Sequence, residues 1–283
     1  MDDPTQRTGP VGGWHWAEWG CEFLGTGALL LGGLSGLFLD FQAHSPVAAV
    51  LPGVSARLLL TGLILGASGI LITVSPLGRR SGAHLNPSVS VAFWRRGHMH
   101  RHDLIGYLTA QVTGAVAGTA IAGTLWGRRA TALDWGVTQP GHGISSLVAF
   151  AIETAMTCVL IVGILMAVSS ARTARLTPFV AWGEVALLVW VGGSLTGASL
   201  NPARSLAPAI LAHDYTSLWA YIAGPLAGAL IAVAVFDRLL PLQTRTAKLF
   251  HDSRYPSTMA TSLPSAPAGP PRRGPLVRCP KFR

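Results

Sequence analysis

Two short segments of the chain are near copies of each other, and this repeat limits the possible fold more than any other feature. The first, at residues 81–92, reads SGAHLNPSVSVA, and the second, at residues 196–207, reads TGASLNPARSLA. They align without gaps, and seven of the twelve positions are identical. Neither segment can cross a bilayer alone, because a membrane-spanning helix needs about 20 apolar residues.

Six longer apolar stretches surround these segments. Half of the chain is hydrophobic and only 12% is charged, whereas soluble domains carry roughly 25% charged residues. Pairs of glycines four residues apart, such as Gly114 and Gly118, allow close helix packing in lipid. The predicted membrane spans are residues 17–41, 52–75, 104–126, 143–168, 177–195 and 216–240.

The rest of the chain repeats as well. Glu22 in the first span corresponds to Glu153 in the fourth, and Tyr107 in the third corresponds to Tyr221 in the sixth. The chain is therefore two halves, each with three spans and one short segment, at about 16–126 and 143–240. Because three is odd, the two halves face opposite ways across the membrane, which is an inverted repeat.

Each short segment contains Asn followed by Pro, at Asn86-Pro87 and Asn201-Pro202. Asn is a good helix N-cap, and Pro suits the first helical position. The helices that follow have room for about half of a roughly 30 Å hydrocarbon core. The predicted fold is an all-α membrane protein with six transmembrane helices and two re-entrant half-helices that meet near the midplane.

The distribution of charge predicts the orientation of the chain in the membrane and the character of its two terminal segments. The net charge is +9, and Lys and Arg concentrate in the second-to-third connection, the fourth-to-fifth connection and the tail, so both termini are expected in the cytoplasm. We expect residues 1–15 to be a cytoplasmic segment, 16–240 the membrane-embedded domain and 241–283 a disordered basic tail. The plasma membrane is the expected location.

The paired segments resemble the signature loops of the aquaporin and glycerol-facilitator superfamily. The resemblance covers about residues 16–240 and implies a passive channel for water or small uncharged solutes, assembled as a homotetramer. It implies that Asn86 and Asn201 donate hydrogen bonds into the pore, with Pro87, Pro202 and Ala203 completing the signatures. The first copy departs from the pattern, because Ser88 stands where the family has Ala, and we expect little functional change.

The same resemblance implies an outer selectivity filter at Gly66, Val189, Ala198 and Arg204, with Leu65 and Trp190 as alternative lining residues. Arg204 would exclude cations and orient solute oxygens. The other three are small and apolar, which indicates a wider filter than that of a strict water channel. Ser205 and Ala209, in contrast, favour water as the permeating molecule. Because these two indications disagree, water, glycerol-like polyols, urea and metalloid hydroxides all stay possible substrates.

The remaining polar residues have structural interpretations. By resemblance, Glu22 and Glu153 accept hydrogen bonds from the backbone of the re-entrant loops. Glu184, in the middle of a span, has no clear role. The histidines at 98, 100 and 102 lie among arginines, which predicts a solvated loop rather than a metal site.

Two other classes of function compete with a channel. An inverted-repeat secondary transporter would need coupling-ion ligands or titratable groups at the midplane, where only two amides and one arginine are expected. An enzyme would need a catalytic constellation, and the sequence offers no nucleophile with a base, no paired metal ligands and no phosphate loop. We therefore expect no catalytic residues, cofactor, metal or nucleic-acid partner.

Overall fold

The computed structural model describes residues 14–255, except 171, 241, 243, 245, 251 and 253. Within this part every regular element is helical. In chain order the α-helices are α1 (Trp16–Phe41), α2 (Pro46–Val50), α3 (Val54–Val74), α4 (Pro76–Ser81), α5 (Pro87–Arg95), α6 (Arg101–Trp126), α7 (Arg128–Thr131), α8 (Ser146–Val168), α9 (Thr177–Thr196), α10 (Pro202–Ala212) and α11 (Leu218–Leu239). Short 3-10 turns occur at Asp134–Gly136 and Ala174–Leu176.

Six of these helices, α1, α3, α6, α8, α9 and α11, are long and apolar enough to cross a membrane. Each corresponds to one predicted span, so the prediction of six spans is confirmed. Large apolar side chains remain exposed on their outer faces, such as Leu71, Leu125 and Leu147, at 67–70%. In lipid this exposure is favourable, because the hydrocarbon core is as apolar as the side chains.

The bundle repeats the same packing in both halves. Helix α1 packs on α6 in the first half, and α8 packs on α11 in the second. A Cβ atom added at Gly118 would lie 2.1 Å from the carbonyl oxygen of Gly27, and one added at Gly228 would lie 2.4 Å from that of Thr154. Glycine is therefore required at these positions, because the helix backbones touch there.

The two half-helices begin as the sequence predicts. Asn86 precedes α5, and its side chain accepts a hydrogen bond from the amide of Ser88 at 2.8 Å. Asn201 precedes α10 and accepts from the amide of Ala203 at 3.0 Å. The helices contain 9 and 11 residues, which at about 1.5 Å per residue is about half of a roughly 30 Å hydrocarbon core.

The path of the chain defines two faces of the bundle. We call the face at which α1 begins and α11 ends the terminal face. The segment between α3 and α6 enters from this face, reaches Asn86 and returns as α5. The segment between α9 and α11 does the same from the opposite face through Asn201 and α10, so the N-termini of the two half-helices converge inside the bundle.

Part of the predicted disordered tail folds back onto the terminal face. Ala247, Lys248 and Leu249 are only 2–3% exposed, and we call residues 247–249 the tail segment. The prediction of disorder is wrong for these three residues, because they pair with the backbone and side chains around the first re-entrant loop. The predictions for residues 1–13 and 256–283 concern the chain outside the described residues.

Candidate functional site

The two signature asparagines are held by each other's loop. The Nδ2 atom of Asn86 donates to the carbonyl of Leu200 at 2.9 Å, and that of Asn201 donates to the carbonyl of Leu85, also at 2.9 Å. Each Oδ1 atom is already an N-cap acceptor. An amide NH2 group has two hydrogens, so each asparagine keeps one N–H donor for a molecule in the passage, while its oxygen accepts from its own half-helix.

The loops before the half-helices have matching strained backbones. Ala83 and Leu85 have φ values of 54° and 51°, and their counterparts Ala198 and Leu200 have values of 46° and 59°. Positive φ is uncommon for residues with a side chain and costs on the order of 1–3 kcal/mol each. Both loops therefore need strong contacts with the surrounding helices.

Two buried carboxylates supply these contacts. Glu22 on α1 accepts from the amide of His84 at 3.0 Å and from that of Leu85 at 2.8 Å. Glu153 on α8 accepts from the amides of Ser199 at 2.9 Å and Leu200 at 2.8 Å. Both carboxylates are fully buried. Irregular backbone at membrane depth must be satisfied internally, and these glutamates satisfy it.

A largely apolar cavity runs past both asparagines. Its wall combines residues from both halves, including Val189, Ala198 and Arg204 together with Asn86 and Asn201. Pro87, Ser88, Pro202 and Ala203 are buried in the first turns of the half-helices. The asparagines of two segments far apart in the sequence thus line one cavity, and the other signature residues pack behind them.

The sequence-based placement of Gly66 in the filter needs correction. Leu65 lines the cavity, whereas Gly66 faces α9, where an added Cβ atom would lie 2.8 Å from the carbonyl oxygen of Trp182. Successive residues of a helix point about 100° apart, so an error of one position in counting turned the expected lining residue into a packing residue. Trp190, the other alternative, is 39% exposed and donates to Ser55.

Arg204 takes its position from a segment that sequence reasoning did not identify. Its Nη1 atom donates to the carbonyl of Gly136 at 2.8 Å. Gly136 has a φ of 76°, which favours glycine, and it also lines the cavity.

Three other polar features have defined surroundings. His98 is 2% exposed, so the prediction of a solvated histidine loop is wrong at this position. His102 is 40% exposed and lies 3.4 Å from Asp103, which also accepts from the ring of His15 at 2.7 Å. Glu184 is partly buried against α8, where its carboxylate occupies the space beside Gly163.

Six spans, two opposed half-helices and a cavity that runs past the paired asparagines define a membrane channel. A family model described as "Major intrinsic protein" matches residues 14–236, and the chain belongs to this family. The members of the aquaporin family are channels rather than enzymes, and membership favours passive permeation over a coupled transporter.

The curated relatives and solved structures agree with this assignment. "Probable aquaporin NIP7-1" of Arabidopsis thaliana is 34% identical over 189 residues, 66% of each chain. "Aquaporin NIP1-3" of Oryza sativa subsp. japonica is 30% identical over 239 residues, covering 82% of this chain and 79% of the relative. The X-ray structure of the aquaglyceroporin from Plasmodium falciparum superimposes with a TM-score of 0.67 over 80% of this chain and 97% of that chain. At 23% identity, this match shows a shared fold.

Proposed function

We propose that this passive channel carries water together with neutral solutes of polyol or urea size, and that it excludes protons and ions. The observation that carries the proposal is the reciprocal bonding of Asn86 and Asn201 at the N-termini of two opposed half-helices. Each half-helix directs the positive end of its dipole to this point. Cations are therefore repelled near the middle of the passage.

The free donors explain how water passes without protons. Each asparagine offers one N–H to the passage, while its oxygen is engaged in capping its own half-helix. A water molecule at this point accepts from both amides through its oxygen and turns its hydrogens away. It therefore cannot accept a proton from a neighbouring water, and the hydrogen-bonded chain that proton transfer needs is interrupted.

The proposed filter consists of Leu65, Val189, Ala198 and Arg204. Three of its members are apolar, and Arg204 can only donate hydrogen bonds. A solute with hydroxyl or carbonyl oxygens on one side and carbon on the other matches this lining. This reasoning favours polyols and urea beside water, with metalloid hydroxides as further neutral candidates.

The domain bounds, orientation, membrane and oligomeric state of the channel belong to the same proposal. Residues 16–240 form the channel domain, and both termini lie in the cytoplasm, because Lys and Arg concentrate at the terminal face. The protein resides in the plasma membrane as a homotetramer in which each subunit has its own passage. Support for separate passages comes from the cavity, which is lined within a single chain.

The test is stopped-flow light scattering on proteoliposomes under sucrose, glycerol and urea gradients. We expect faster water movement than in protein-free vesicles, and faster entry of glycerol or urea. A pH-sensitive dye inside the same vesicles should report no proton entry beyond that of empty vesicles. Proton entry that rises with the amount of protein would contradict the proposed exclusion.

A further inference from the structure

The tail segment is anchored at the terminal face by a buried lysine. The Nζ atom of Lys248 donates to the carbonyls of Arg79 and Arg80, both at 2.9 Å, and to that of Tyr255 at 2.8 Å. The residue is 2% exposed. An ammonium has three donor hydrogens, and all three are used here.

The backbone of the tail segment pairs with the first re-entrant loop. The amide of Leu249 donates to the carbonyl of Gly82 at 2.9 Å. The carbonyl of Ala247 lies 2.7 Å from Nε2 of His84, whose Nδ1 is 3.1 Å from Ser90 Oγ on α5. This ring is 1% exposed. The loop that carries Asn86 therefore also holds the tail.

These contacts place Leu249 in the passage. Its side chain is 2% exposed and lines the same cavity as Asn86 and Arg204. It belongs to an apolar cluster with Leu160 and Ile164 of α8. Because its amide pairs with Gly82, it occupies the terminal-face end of the cavity.

We propose that the terminal-face mouth of the channel is a binding site for the chain's own tail segment, and that Leu249, seated in this site, closes the passage. The proposal rests on the channel function, because closure has meaning only where solutes pass. An apolar side chain at a narrow mouth excludes water, as hydrophobic constrictions do in other channels. Release of the tail segment opens the mouth.

The attachment is suited to reversible closure. Burial lowers the pKa of Lys248 to about 8, although Glu18 and Asp252 favour its charged form and Arg80 opposes it. At neutral pH the lysine is still charged, so docking removes an ammonium from water, which costs free energy. This cost offsets part of the gain from the hydrogen bonds and the buried leucine.

The test compares Leu249→Asp with Leu242→Asp in the full-length chain. The first change puts a carboxylate into the apolar mouth, which disfavours docking. The second makes the same change at a tail residue that is 45% exposed. In proteoliposomes at equal protein, Leu249→Asp should raise water permeability severalfold over wild type, and Leu242→Asp should not. Lys248→Met, which removes the donated hydrogen bonds without adding a carboxylate, should also raise it.

Trypsin reports the position of the tail independently. Cleavage after the buried Lys248 should be slow in wild type and in Leu242→Asp, relative to cleavage after Arg254, whose side chain is 71% exposed. It should become fast in Leu249→Asn, which also puts a polar group into the apolar mouth and leaves no acidic residue beside the cleaved bond. Unchanged permeability in Leu249→Asp and Lys248→Met, with wild type conducting above protein-free vesicles, would overturn the proposal. If every variant matched protein-free vesicles while trypsin detected release, the channel function would be contradicted as well.

Discussion

Arg204 donates to the carbonyl of Gly136 at 2.8 Å, which ties the second half-helix to the connection that follows the first half of the chain. One of its five N–H groups is committed to this bond, and the others can face the cavity. The position of the charge is therefore set by a backbone oxygen. A longer or shorter connection would move the charge without altering the signature residues.

Replacing Arg204 with Val should leave a folded channel that leaks cations. The charge repels a cation at 4 Å by about 4 kcal/mol at an effective dielectric constant of about 20, so cation leak should rise by about tenfold or more. The first-repeat counterpart of this residue is Val89, so a half-helix accepts Val there. Ion flux into proteoliposomes measures the leak, and Arg128→Val, at an exposed position, is the control. Unchanged ion exclusion in a folded Arg204→Val protein would remove Arg204 from the filter.

A larger side chain at position 65 should increase the selectivity of the channel for water over glycerol, since Leu65 lines the cavity. We expect Leu65→Phe to reduce glycerol permeability more than water permeability. The comparison variant is Gly66→Ala, whose new methyl group would lie 2.8 Å from the carbonyl of Trp182. That change should lower stability by about 1–3 kcal/mol and leave the glycerol-to-water ratio of the folded fraction unchanged. A lower glycerol-to-water ratio in Gly66→Ala, with an unchanged ratio in Leu65→Phe, would instead place Gly66 in the filter.

Removing the hydroxyl of Ser88 should stabilise the protein. Its Oγ atom is buried and has no hydrogen-bond partner among the described residues, and such a group costs about 1–3 kcal/mol. We expect Ser88→Ala to raise the free energy of unfolding by about 1 kcal/mol with unchanged water permeability. In contrast, Ser90→Ala should destabilise, because its hydroxyl contacts His84 and Gln111. Thermal unfolding in detergent distinguishes the two, and a lower melting temperature for Ser88→Ala would show that its hydroxyl is satisfied.

Adding a methyl group at Gly118 should separate α1 from α6. The new atom would lie 2.1 Å from the carbonyl oxygen of Gly27, so the helix backbones must move apart, at a cost of about 1–3 kcal/mol or more. Gly183→Ala is a matched control, because nothing lies within 4 Å of a Cβ atom there. We expect this control to be neutral or stabilising by up to about 1 kcal/mol. Equal melting temperatures for the two variants would contradict the close approach of α1 and α6.

The parts of the structure that could be predicted from the sequence depend on local pattern. The spans follow from apolar length, and the starts of the half-helices follow from Asn86-Pro87 and Asn201-Pro202, where capping is a property of adjacent residues. The inverted repeat follows from counting spans. These features need no knowledge of which distant residues touch.

The parts that could not be predicted depend on contacts between distant segments. Nothing near Gly136 in the sequence indicates that its carbonyl holds Arg204. The tail segment is three residues within a stretch rich in Pro and Ser, so composition averaged over that stretch hides it. Leu65 and Gly66 could not be separated, because the counting across the loop carries an error of at least one residue.

The reciprocal bonds of the asparagines also govern the order in which the channel can be completed during its synthesis. The acceptor of Asn86 is Leu200, 114 residues further along the chain. When the first three spans have left the ribosome, this amide already lies at a depth where an unpaired polar group costs several kcal/mol, yet its partner does not exist. Until Leu200 has been synthesised, the side-chain amide of Asn86 must donate to another acceptor, such as water or the backbone of the first half. Glu22 can hold the first loop before the second half is made, but both reciprocal asparagine bonds can form only afterwards.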